Sequence, residues 1–151
     1  MPFLVIYAEE ESSNEQKQAL CEFLTPRIAK NFKIHDQAVR IIFQEPSENQ
    51  VSYSGWLKSD NEFKEKKTAI QNANPYAELR TPLIILYTEM GKTQEQFEVA
   101  AKDITQAISE HLNVPAFAVR IIFQDIPENR IASGGFIRSS PEYKAEMKAA
   151  L

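Results

Sequence analysis

Residues 38–44 read AVRIIFQ, and residues 118–124 read AVRIIFQ again, 80 positions later. Sliding the 151-residue chain by 80 lays residues 2–64 against 82–144 without a gap, and 20 of those 63 pairs are identical. PFLVIYAE faces PLIILYTE, Glu48 and Asn49 face Glu128 and Asn129, and Gly55 faces Gly135. Such a duplication governs the fold before any single residue does. One copy of about 60 residues is a marginal core, so the copies are expected to pack as one body. The expected organisation is a single domain over 1–151. Its repeats are 2–64 and 82–144, and 65–81 lies between them.

Each copy opens with an apolar strand, 3–8 and 83–88. Ser13 with Gln16 and Thr93 with Gln96 have capping-box spacing, in which side chains satisfy the orphan donors of a helix start. Phe97, Ala100, Ala101, Ile104, Ile108 and Leu112 then form one apolar stripe at helical period, as do Leu20, Phe23, Leu24, Ile28 and Phe32. Pro26 inside the first helix predicts a kink near Glu22. The repeated heptad is rich in β-branched and aromatic residues and reads as a strand. Strand, long helix and strand make a right-handed βαβ unit with parallel strands. Turn-rich segments ending at Gly55 and Gly135 predict short hairpins. Helices are expected from Ser59-Asp60 to about Asn72 and from Ser140-Pro141 onward, with residues 73–81 as connector.

Val39, Ile41 and Phe43 alternate with Arg40, Ile42 and Gln44, so both strand faces carry apolar residues. One helix layer covers only one face, which predicts an oligomer. A net charge of -4 argues against a general nucleic-acid binder. The apolar runs are far shorter than a membrane span needs. The opening residues lack a secretory pattern, and the single cysteine, Cys21, fits a reducing cytoplasm and a packed thiol.

No phosphate loop, zinc motif or serine-nucleophile motif is present, and no cofactor or metal is expected. His35 and His111 read as surface or helix-end residues. Two features carry chemistry. If Met1 is removed, Pro2 becomes a rigid secondary amine at the start of a strand, where lost hydration disfavours its charged form. Such an amine suits a general base. Arg40 and Arg120 stand in apolar strands, where a guanidinium needs a carboxylate, either an internal one such as Asp125 or Glu45, or a ligand's.

MPFLVIYAEEESSNEQK, AVRIIFQ and the Gly55 turn, with PLIILYTEMGKTQEQF, AVRIIFQ and SGG, together resemble the tautomerase superfamily. The resemblance is to fused forms of 4-oxalocrotonate tautomerase, and it implies an α/β fold of two tandem βαβ units related by a pseudo-two-fold axis, assembled as a homotrimer. It places the catalytic base on Pro2 and substrate binding on the strand arginines, Arg40 and Arg120. The family's loop arginine falls on Ser12 and Lys92, of which only Lys92 keeps the charge. The pocket aromatic falls on Val51 and Ile131, with Trp56 or Phe136 as substitutes for the lost ring. In the dehalogenase branch the water-activating carboxylate would fall on Ser133 and an arginine on Glu89. Proton transfer on small unsaturated 2-oxo or 2-hydroxy acids is therefore the expected chemistry. The alternatives are a non-catalytic trimeric binding protein and a hydratase or dehalogenase. Pro82, inside the chain, is an amide and cannot act as a second base.

Overall fold

The computed structural model describes residues 2–8, 12–53, 55–73 and 82–150. The acidic stretch 9–11 and connector residues 74–81 lie outside the described residues. Copy one contains β1 (Phe3–Tyr7), α1 (Asn14–Phe32), β2 (Arg40–Gln44), β3 (Ser52–Tyr53), β4 (Trp56–Leu57) and α2 (Asn61–Ala73). Copy two contains β5 (Leu83–Glu89), α3 (Gln94–Leu112), β6 (Arg120–Ile126), β7 (Ala132–Ser133), β8 (Phe136–Ile137) and α4 (Pro141–Ala150). The heptad strand begins at Arg40 and Arg120 rather than at the alanines, because Ala38 and Ala118 close single 3-10 turns.

The four long strands form one sheet in the order β2-β1-β5-β6. Within each copy the strands are parallel; between copies β1 and β5 are antiparallel with Val5 opposite Ile85. Those two residues are 80 apart and equivalent, so the pseudo-two-fold axis passes between them. Each hairpin forms a separate two-stranded ladder.

Both capping boxes are formed: Ser13 Oγ accepts from the Gln16 amide and Thr93 Oγ1 from the Gln96 amide, each at 3.1 Å. α1 runs unbroken through Pro26. The stripes meet the sheet as expected, with Leu20, Leu24, Ile28, Ile104 and Ile108 fully buried against Leu4, Ile6, Ile84 and Leu86. Burial of each such aliphatic side chain stabilises the fold by about 1.5–3 kcal/mol. The two helices are also tied end to end: Asn31 Nδ2 donates to the Gln96 carbonyl at 2.7 Å, and Gln96 Nε2 to the Asn31 carbonyl at 2.8 Å. Cys21 is half-buried, its thiol pKa raised chiefly by lost hydration.

α1 and α3 cover one face of the sheet. On the other face Val5 is buried, but Tyr7, Ile42 and Ile122 stand 38%, 38% and 47% exposed. A row of apolar side chains thus lies open beside Arg40 and Arg120, also exposed.

Candidate active site

Because β1 and β5 run in opposite directions, the start of β1 lies beside the end of β5, with Phe3 opposite Tyr87 and their rings 6.1 Å apart. Pro2 is fully buried there, its carbonyl accepting the Arg40 amide at 3.2 Å. Next to this end is a cavity of about 500 Å³. It is walled by Phe3, Val5, Tyr87 and Ile126 from the sheet and by Ile131, Ser133 and Arg138 from the second hairpin, with Glu89 at the end of β5.

The hairpin owes its shape to Gly134 and Gly135, whose φ values of +60° and +87° are both positive, as a tight two-residue turn requires. The Arg138 amide donates to the Ile131 carbonyl at 2.8 Å, which closes the loop and sets Arg138 opposite Ile131. Arg138 Nε donates to Ser133 Oγ at 3.2 Å, and its Nη1 is ion-paired with Glu89 Oε1. The ring of Tyr143 in α4 is centred 5.9 Å from the guanidinium carbon. The Glu89 carboxyl is held below the usual carboxylate range. The largest cause is a hydrogen bond from the chain's α-amino terminus; that group's charge and Arg138 add to it, against the cost of burial. A carboxylate and a guanidinium therefore sit together at the amino-terminal end of β1.

The residues singled out in the sequence are distributed unevenly. Ile131 lines the cavity, and Pro2 immediately precedes its lining residue Phe3. Arg40 begins the edge strand beside Phe3, but its Nη1 donates to the Gln37 and Val39 carbonyls rather than to a carboxylate. Glu45 is engaged elsewhere, by Lys17 at 2.9 Å. Arg120 is paired with Leu83, which lies opposite Tyr7, so it stands at the far end of the sheet. Four residues of strand separate that level from Phe3, about 13 Å at strand rise. Lys92 Nζ lies 5.6 Å from the Phe32 ring, on the helix layer. Trp56 donates to Glu62 at 3.0 Å, and neither it nor Phe136 is among the cavity's lining residues. Sequence reasoning did not assign Arg138 a role. Its signal was a basic residue in both copies, Lys58 and Arg138, three positions beyond the turn glycine.

A family model described as "Tautomerase enzyme" matches residues 2–61 and 82–140. The chain belongs to the tautomerase family, as a fused member with two repeats. It is 44% identical over 45 residues to a probable tautomerase of Lactococcus lactis subsp. lactis, covering 30% of this chain and 74% of that protein. To 2-hydroxymuconate tautomerase of Pseudomonas putida it is 33% identical over 54 residues, covering 36% of this chain and 86% of that one. The solved F6 fused 4-OT wild type asymmetric trimer has the same fold, with a TM-score of 0.69 at 22% identity over 90% of this chain and 95% of that chain. These relatives support isomerase-type chemistry. Among the described residues no helix is long and apolar enough to cross a membrane, and no cluster of candidate metal ligands occurs.

Proposed function

We propose that the protein is a tautomerase that uses Pro2 as general base on small unsaturated 2-oxo or 2-hydroxy carboxylic acids. The observation that carries this reading is a fully buried proline at the start of β1, beside a largely apolar cavity holding one guanidinium. Removal of Met1 turns the Pro2 nitrogen from an amide into a secondary amine. The amine takes a proton from an enol hydroxyl or an activated carbon and returns it elsewhere on the same conjugated system. Positively charged N–H donors stabilise the enolate as charge develops. A positioned base contributes about 10²–10⁴ in rate. The working unit is a homotrimer, in which the open sheet face is covered and Arg40, Arg120 and Lys92 approach the sites of neighbouring chains. The proposed organisation is one domain per chain with one active site.

The test is intact mass together with ketonisation of phenylenolpyruvate and 2-hydroxymuconate. Loss of Met1 and turnover above buffer are expected; a retained Met1 or no turnover overturns the reading. A second reading, hydration, draws on Glu89, a carboxylate in the same cavity. Chloride release from 3-chloroacrylate without ketonisation would favour it.

A further inference from the structure

We propose that Arg138 receives the substrate's carboxylate in this cavity, and that Glu89, fixed against it, restricts the site to substrates carrying a single carboxylate. The inference rests on the Pro2-centred reading above and names the substrate class of that site.

A guanidinium carries five N–H donors in one plane. Among the described residues, Arg138 spends Nε on Ser133 and one Nη1 hydrogen on Glu89, leaving the rest of the fork for a second planar acceptor. Its side chain is only 20% exposed, so water competes weakly for those donors. The group is held by Ser133 and Glu89, with the Tyr143 ring 5.9 Å from the guanidinium carbon, and a held fork loses little entropy on gripping a ligand. Within the chain no other predicted cation is so placed: Arg40 is turned onto backbone carbonyls, Lys92 onto Phe32, and Arg120 lies at the other end.

Glu89 sets the count. Its carboxylate already offsets the Arg138 charge, so one incoming carboxylate can share the guanidinium. A second would find no further lysine or arginine among the described lining residues and would face Glu89 as a like charge. The other walls are Phe3, Val5, Ile126 and Ile131 with the Tyr87 ring, which suit an alkyl or aryl tail rather than a second anion.

The experiment uses the full-length chain with Met1 removed and compares phenylenolpyruvate, with one carboxylate, against 2-hydroxymuconate, with two. The wild type should favour phenylenolpyruvate in kcat/KM. Arg138→Ala should raise KM for both substrates by about tenfold or more, the loss of a charge-assisted contact. Arg138→Lys should recover part of it. Glu89→Gln, which keeps the side chain's shape, should shift the ratio of kcat/KM toward the dicarboxylate by about tenfold, the scale of one close like-charge contact. A purely structural role would lower both substrates together and leave that ratio unchanged. Binding of phenylacetate and of glutarate, followed by calorimetry, gives a readout independent of turnover. If the wild type turns over neither substrate but binds phenylacetate through Arg138, the tautomerase reading falls and this one stands. An unchanged KM and Kd in Arg138→Ala, an unmoved ratio in Glu89→Gln, or a wild-type preference for 2-hydroxymuconate overturns it.

Discussion

The two ends of the sheet are built from the same parts and finished differently. At the Pro2 end the second hairpin brings Ser133 and Arg138 against Glu89, and the space stays open and polar at its base. At the Pro82 end the equivalent of Ser133 is Tyr53, whose ring packs 6.3 Å from Phe63, itself almost fully buried. The position matching Phe63 in copy two is Tyr143, which lies over Arg138 instead. Tyr53 thus makes an aromatic contact where Ser133, on the equivalent strand, lines a cavity. The prolines differ more deeply. Pro82 is acylated by residue 81, and its nitrogen lone pair is delocalised into that amide. Of the two equivalent prolines, only Pro2 can therefore supply the free amine that the proposed reaction needs.

The sharpest way to break this comparison is to exchange the prolines for alanine. Pro2→Ala should lower kcat by about 10²-fold or more, within the range expected for a positioned base; Pro82→Ala should leave kcat nearly unchanged. Labelling with 3-bromopyruvate should stop at one equivalent per chain, on Pro2. Two equivalents, or full activity after Pro2→Ala, would show that the ends are alike.

Core packing is expected to treat the ends equally. Leu24→Ala and Ile104→Ala occupy equivalent positions and are both fully buried. Each should cost about 2–5 kcal/mol in denaturant unfolding. A large difference between them would mean that one copy folds and the other docks onto it. The open face extends the test to assembly. Ile122→Glu should convert a trimer into the 17.2 kDa chain in light scattering. A wild type already at that mass would sink the trimer.

In the chain that retains Met1, each end also holds a carboxylate whose pKa is lowered on folding: Glu89, chiefly by a hydrogen bond from the amino terminus, and Glu45, chiefly by the hydrogen bond from Lys17. A lowered folded pKa contributes stability above the unfolded value of about 4.3, and the contribution is lost as pH falls through the folded value. Melting temperature should therefore hold from neutrality to about pH 5 and fall below it. The double variant Glu45→Gln, Glu89→Gln should flatten that acid limb, and an unaltered limb would assign acid sensitivity elsewhere. Both pairs are partly exposed, so the effect is small.

The smallest effect concerns the helix ends. α1 and α3 both stop at a left-handed residue, Lys33 at φ +58° and Asn113 at φ +55°. Asparagine adopts that conformation at lower cost than lysine. Lys33→Asn should stabilise by up to about 1 kcal/mol in chemical denaturation, whereas Asn113→Lys should destabilise by a similar amount.

Much of this fold is written in local pattern. Repeat spacing, capping boxes at Ser13 and Thr93, two apolar stripes and a β-branched heptad each specify an element through interactions within a few residues of chain. The stripes mark the helix face that must leave water, and alternation in AVRIIFQ places Val39, Ile41 and Phe43 inward. The place of Pro2 directly before the first strand was legible too. What the cavity contains was not. Glu89 and Arg138 are 49 positions apart, and their pairing depends on β5 lying antiparallel to β1 and on the glycine turn folding the second hairpin toward the strand end. Nor could spacing tell that Arg120, identical in its heptad to Arg40, stands at the opposite end from Pro2 within one chain. Two identical heptads have identical local preferences. Only the two-fold relation, fixed by burying both stripes against one sheet, gives them different neighbours.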